Sequence, residues 1–210
     1  LLKPSLNSLV LILGGKMKYV LATKNRGKLE EFQKLFSEIG LEIVSEEEFF
    51  NGEIIEDGKT FEENSLIKAK TIGDISKFPT VADDSGLCID DLNGEPGIFS
   101  ARYFPECKDY NEKCKKMIEL VNSKNGSRKA HFVSVITIYY PENGHVEHFR
   151  GECYGEISKE LKGTNGHGYD PIFYSYELEK GFAEVTLEEK NKVSHRAKAF
   201  GLLKKYLLEK

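Results

Sequence analysis

Residues 19–45 read YVLATKNRGKLEEFQKLFSEIGLEIVS. A short apolar run, Tyr19–Ala22, gives way to a cation-rich loop. Leu29, Phe32, Leu35, Phe36 and Ile39 then recur at helical spacing until Gly40 closes the pattern. Leu41–Ser45 returns to a strand-like run. Strand, helix and strand in that order are the parts of a parallel β-α-β crossover. The next stretch repeats the scheme. Thr60 and Glu63 stand at capping-box spacing ahead of the helical pattern FEENSLIKAKTIGDIS, and TVAD (80–83) is strand-like again.

The second half changes character. AHFVSVITIYY (130–140) and HVEHFRGECYGEI (145–157) are long β-rich runs joined by PENG, whose Asn143-Gly144 is a strong hairpin signal. The chain closes with TLEEKNKVSHR and a helical pattern over 197–210. No linker-like stretch divides the halves. The expected fold is α/β, with a long mixed central sheet and flanking helices forming two lobes around a cleft, in one domain over residues 17–210. The apolar run Leu9–Leu13 is too short to span a bilayer. Residues 1–16 are expected to be an extension outside the fold.

Composition narrows the function classes. The chain has 210 residues, 40% hydrophobic and 30% charged, with a net charge of −4. That length supports a substantial core. The acidic balance argues against a nucleic-acid partner, and nothing points to a membrane; a phosphorylated small molecule remains open if cations gather locally. Cys88, Cys107, Cys114 and Cys153 form no C-x-x-C pair and read as reduced thiols of a cytoplasmic protein. His145 and His148 flank the hairpin without partner ligands nearby and read as exposed strand residues.

Four stretches could carry chemistry. TKNRGK (Thr23, Lys24, Asn25, Arg26, Gly27, Lys28) lies between a strand and a helix N-terminus, where backbone N–H groups and the helix dipole favour an anion. VADDSGL (81–87) places Asp83 and Asp84 side by side where a strand is expected to end. Successive strand residues face apart, so one carboxylate can serve a site while the other holds a turn; the residues alone leave open which does which, and a solvated turn fits them as well. Glu56, Glu63 and one of the aspartates could collect Mg2+, with Glu56 preferred because Glu63 has the capping role. The run Glu46–Glu48 reads as a solvated acidic loop. GTNGHGYDP (163–171) combines glycines with flat rings able to stack on a base, and EEKNKVSHR (188–196) adds Lys190, His195 and Arg196.

LATKNRGKLEEF, TFEENSLIKAK, ADDSGL, PGIFSARY, GYDPIF and EEKNKVSHRAKA follow one another in this order across the chain from Met17. Together they resemble the inosine triphosphate pyrophosphatase family, which hydrolyses XTP, ITP and dITP to the monophosphate and pyrophosphate. The resemblance implies a triphosphate loop at Thr23–Lys28 and metal ligation by Glu56 and Asp84. It makes Asp84 the general base and Ser85 a substrate contact. His167, Gly168, Tyr169 and Asp170 would form the nucleotide loop. Lys190, His195 and Arg196 would meet phosphate and the 6-keto purine edge, and Lys68 would face the cleft. Mg2+ as cofactor and a homodimer are further implications. The chain departs from the family at His167, where an aromatic residue, often Phe, is usual. Two other readings are a related pyrophosphatase acting on other bases and a non-catalytic nucleotide-binding module.

Overall fold

The computed structural model describes residues 18–209. The N-terminal extension expected over residues 1–16 lies outside them. Seven strands form one mixed sheet in the order β2-β1-β3-β4-β5-β6-β7. Their ranges are β1 Lys18–Leu21, β2 Glu42–Ser45, β3 Thr80–Ile89, β4 Lys129–Tyr140, β5 His145–Ile157, β6 Phe173–Ser175 and β7 Lys180–Gly181. The helices are α1 Arg26–Ser37, α2 Phe61–Ser76, α3 Tyr110–Lys124, α4 Leu187–Lys190 and α5 His195–Leu208. The expected parallel crossovers are present: β1 runs parallel to β2, with Tyr19 opposite Ile43, and parallel to β3, with Val20 opposite Thr80. At the other edge β5, β6 and β7 pair antiparallel.

The chain divides into two compact units, and each has its own core. Among the described residues, the first comprises those from Lys18 to Asp57, Asn64–Asp83 and Thr137–Glu147. Its core packs Val20, Ala22, Val44, Ala69, Ile72, Ala82 and Tyr139 together. Here α1 lays Phe32 and Phe36 inward, the buried face of the spacing read from the sequence, and Tyr19 meets Phe36 edge-on at 5.4 Å. The second unit comprises Gly58–Glu63, Asp84–Ile136 and His148–Lys210. Its core is built on Phe132, Phe173 and Phe182, with Leu87 and Ile89 of β3 and Met117, Ile118 and Val121 of α3.

Local chemistry explains most boundaries. Asn25 caps α1 by accepting the Lys28 N–H at 3.1 Å. At α2, Thr60 Oγ1 accepts from Glu63 N at 3.1 Å, while the Glu63 carboxylate accepts from Lys59 N at 2.6 Å, one residue earlier than a standard capping box. The β4–β5 hairpin turns through Pro141–Gly144, with Gly144 at φ +72° donating to the Tyr140 carbonyl at 2.9 Å. Helix α3 occupies a stretch without an expected element; Asp109 caps it and Asn125 ends it in a left-handed conformation.

One expectation is overturned in β3. The sequence suggested that the strand ends in a turn at Asp83-Asp84, whereas it continues through Ser85 and Gly86 to Ile89. The reason is a close backbone approach. A Cβ on Gly86 would lie 2.2 Å from the Gly97 carbonyl oxygen and 2.6 Å from Ser100 Oγ. That Ser100 hydroxyl accepts from Leu87 N at 2.9 Å and donates to Gly97 O at 2.6 Å, so it ties the strand to the following loop. The glycine that looked like a turn former is there because nothing larger fits.

Gly86→Ala is therefore expected to be more damaging than Gly144→Ala, whose Cβ meets nothing within 4 Å and whose cost is backbone strain alone. Overpacking against a backbone oxygen should destabilise by about 1–3 kcal/mol. For a chain of this size that lowers Tm by roughly 2–10 °C. Thermal unfolding of the two variants side by side checks the order, and equal losses would contradict it.

Candidate active site

The first unit gathers the cations of the TKNRGK loop at the head of α1. The loop folds on its own side chains: Asn25 N donates to Thr23 Oγ1 at 3.2 Å, and Asn25 Oδ1 holds the Lys28 N–H. No acidic residue occupies the first turn of this twelve-residue helix. Lys24 and Arg26 are exposed, and the Lys24 ammonium donates to the Gly52 carbonyl. A helix N-terminus with three cations and no acid in its first turn is suited to a polyanion.

Two carboxylate–ammonium pairs stand in the same unit. Lys28 Nζ lies 3.0 Å from Asp83 Oδ1, and Lys68 Nζ lies 3.0 Å from Glu56 Oε2. Their environments differ: the Asp83 side chain is 1% exposed, the Glu56 side chain 34%. Asp83 is therefore neither a turn residue nor a solvated one.

Glu46 corrects a second expectation. The acidic run was read as solvated, and Glu47 and Glu48 are indeed exposed, but Glu46 is only 2% exposed. Ser45 accepts from Glu47 N at 3.2 Å and starts a short 3-10 turn, which carries the first glutamate inward. Its Oε2 is buried without a hydrogen-bond partner. Burial raises the Glu46 carboxyl above its ordinary range; Lys24 opposes the shift, Glu47 adds to it and Lys68 opposes it. The available signal was the buried strand Ile43-Val44 directly ahead, with a capping serine between.

The second unit holds Asp84, Ser85, the nucleotide-loop candidates and the last basic cluster. Asp84 is buried on β3, and its Oδ1 accepts from Ser85 N at 3.1 Å. Asp170 is buried, and its Oδ2 accepts from His167 N at 2.8 Å and from Lys190 Nζ at 2.6 Å. One carboxylate thus ties the 166–170 turn to α4, with Gly166 and Gly168 in left-handed conformations that the turn requires. His167 is exposed, so its ring is open to a ligand. Tyr169 is not: its ring is buried, and its hydroxyl donates to the Ser100 carbonyl at 3.1 Å. Its side chain braces the loop.

His195 and Arg196 sit in the first turn of α5, slightly earlier than the sequence pattern suggested, with Ser194 as cap. The His195 ring stacks on Phe132 at 4.9 Å. Gly151 of β5 lets the backbone of α5 come close, since a Cβ there would lie 2.1 Å from the His195 carbonyl oxygen. The four cysteines are free thiols, and burial pushes Cys88 up to about 11 and Cys114 up to about 12, which makes both poor nucleophiles. His145 pairs with Glu147 at 3.1 Å, as an exposed hairpin residue would. Among the described residues no three His, Cys, Asp or Glu side chains gather as a metal cage. Glu56 and Asp84 instead offer carboxylate oxygens singly, a donor type that fits a hard cation completed by substrate phosphates and water.

Known proteins resemble the chain along nearly its whole length. Residues 19–206 match the model of the Ham1 family. The dITP/XTP pyrophosphatase of Desulfotalea psychrophila is 45% identical over 186 residues, covering 88% of this chain and 82% of that protein. The protein of the same name from Halalkalibacterium halodurans is 44% identical over 192 residues, covering 90% and 98%. Among solved structures, a HAM1 protein from Coxiella burnetii superposes with a TM-score of 0.88 at 38% identity, covering 92% of this chain and all of that one.

The buried Glu46 carboxylate yields a prediction with a definite sign. A raised folded-state pKa means that the ionised form opposes folding; the penalty is full above the folded pKa and disappears below the unfolded value. Glu46→Gln is expected to raise Tm at pH 8, with the gain shrinking as pH falls through the ordinary glutamate value of 4.5. Thermal unfolding across that range checks it, and a gain independent of pH would contradict it.

Proposed function

The chain belongs to the Ham1 family, and on that premise we propose that it hydrolyses non-canonical purine nucleoside triphosphates (XTP, ITP and dITP) to the monophosphate and pyrophosphate, removing them from the nucleotide pool. This is the family that the six sequence motifs resemble. The observation that supports the reading most directly is the head of α1. Lys24, Arg26 and Lys28 collect there, without an acid in the first turn, in a chain whose net charge is −4. A polyanionic substrate gives such a cluster a purpose.

Within this reading each part of the site has one task. Thr23–Lys28 receives the triphosphate, with the helix N–H groups and the three cations offsetting its charge. Asp84 orients the attacking water and accepts its proton; the water oxygen bonds to the α-phosphorus as the bridging bond to the β-phosphate breaks. Lys28 stabilises the charge developing on the departing pyrophosphate. Ser85 touches the substrate beside Asp84. Glu56 and Asp84 are the residues that would hold Mg2+, which when bound neutralises phosphate charge and polarises the phosphoryl group. Lys68 pairs with Glu56 now, so an arriving cation competes with an ammonium there.

Base choice falls to the second unit. His167 stacks on the purine, and the loop that carries it is fixed by Asp170 and Lys190. His195 and Arg196 supply donors for a 6-keto oxygen. Adenine presents an amino group at that position and leaves a buried donor unpaired, a mismatch worth up to about 10^4-fold. The homodimer and cytoplasmic residence implied by the family resemblance belong to this proposal as well. Four free thiols agree with a reducing compartment, and among the described residues no helix is long and apolar enough to cross a membrane.

Pyrophosphate release tests the reading, comparing dITP and XTP with dATP, dGTP and dTTP, in Mg2+ and in excess chelator. Release is expected from dITP and XTP, to depend on the metal, and to fall by roughly 10^2–10^4-fold in kcat in a folded Asp84→Asn variant. Equal turnover of the other nucleotides would overturn the base assignment. Near-normal activity of the variant would overturn the role of Asp84.

A further inference from the structure

Asp83 has no task in the chemistry above, yet it is the less exposed member of the DDSG pair. Its carboxylate, 1% exposed, faces away from Asp84 along β3 and lies 3.0 Å from the Lys28 ammonium. A buried carboxylate is tolerated when a cation answers it, and replacing such a pair with apolar groups usually costs little stability. A buried pair at this place therefore asks for another reason. Lys28 gives one. Its backbone N–H is held by Asn25 at 3.1 Å, and its ammonium is held by Asp83, so both ends of a long, freely rotating side chain are fixed. The Lys28 side chain remains 22% exposed, so it is not sealed as the Asp83 carboxylate is.

The comparison with Lys68 sharpens the point. That ammonium also lies 3.0 Å from a carboxylate, but Glu56 is 34% exposed and can trade partners with solvent or a cation. Asp83 has no such access. Water has little access to compete for Asp83, whereas it can compete for Glu56.

We propose that Asp83 is a positioning residue, whose buried carboxylate fixes the Lys28 ammonium at the head of α1 in the direction from which it meets the triphosphate. The proposal rests on Lys28 being a phosphate contact, as the proposed function has it. Asp83 touches neither substrate nor water; it acts on the reaction through Lys28 alone. Removing its charge frees the ammonium to wander, and misplacement of a catalytic group by about 1 Å can cost on the order of 10^2-fold.

A double-mutant cycle tests this, using Asp83→Asn, Lys28→Met and the two combined, with dITP kinetics and thermal unfolding for all four proteins. Asp83→Asn is expected to lower kcat/KM by roughly 10- to 100-fold. The same change made on Lys28→Met should lower it no further, because its route of action is already gone. Equal losses on both backgrounds, or unchanged kinetics in Asp83→Asn, would overturn the proposal. A second measurement needs neither turnover nor a variant at Asp83. Reductive 13C-methylation keeps lysine charged, and the dimethyl-Lys28 resonance, assigned by its disappearance in Lys28→Arg, reports mobility. It is expected to be broader than those of Lys24 and other exposed lysines; a line as sharp as theirs would overturn the proposal. Wild-type protein that releases no pyrophosphate while Lys28 is immobile would instead count against the proposed activity and leave the pairing standing.

Discussion

Strand β3 must carry two adjacent carboxylates through a buried stretch, and much of the architecture follows from how it does so. Strand geometry turns Asp83 and Asp84 to opposite faces, so no single partner can serve both. Asp83 is answered by Lys28 and Asp84 by the N–H of Ser85. The first solution depends on topology. Because β1 lies parallel to β3 with Val20 opposite Thr80 and Leu21 opposite Val81, the loop leaving β1 emerges beside the middle of β3, where the aspartates lie. Four residues, Ala22–Asn25, are then enough to start α1, and Lys28 falls within reach. A longer loop, or a different neighbour for β1, would leave a carboxylate stranded at a cost of several kcal/mol.

The second unit solves a similar problem in a turn. Asp170 is buried in a segment too irregular for ladder hydrogen bonding, and it gathers one backbone N–H and one ammonium instead. The bond to His167 N closes the turn, and the bond to Lys190 fastens it to α4, whose Thr186–Glu189 capping box sets that short helix in place. Buried ion pairs of this kind contribute little net stability. What they supply is definition: the loop has one conformation because Asp170 has one set of partners. Lys190 is correspondingly occupied with Asp170, while His167 on the same loop is exposed.

Sequence periodicity revealed those parts of the fold where one physical rule acts alone. The helical spacing of Leu29 to Ile39, the Thr60–Glu63 cap and the Asn143-Gly144 turn all appear close to their expected places. The loop cations at the head of α1 were also legible, because a helix start is a local feature. Long-range compensation was not. Asp-Asp-Ser-Gly has turn composition, and only the approach of the Gly97 carbonyl and the reach of Lys28 make it strand. Glu46 looked like one of three solvated acids until a serine cap turned it inward. Tyr169 and Lys190 belong to the motif pattern, but their partners, Ser100 and Asp170, lie 69 and 20 residues away in the chain. Helix α3 was missed although its cap and apolar spacing are local, because cysteine and lysine dilute the pattern.

The charges of the first unit form a series graded by access to water. Asp83 is nearly sealed, Glu56 is a third open, and Lys24 donates to a backbone carbonyl while its charge bears on the buried Glu46. A polyanion meeting this set finds cations already oriented but not equally neutralised. The ammonium paired with the sealed carboxylate keeps its direction, since that partner cannot leave. The ammonium paired with Glu56 would be released if a cation took its place, since that carboxylate is open to solvent. The ammonium bonded to a neutral carbonyl acts at longer range, where it also offsets the buried Glu46. Fixed direction, exchangeable pairing and longer-range attraction are different demands, and a net acidic chain meets all three by varying how deeply each lysine's partner is buried.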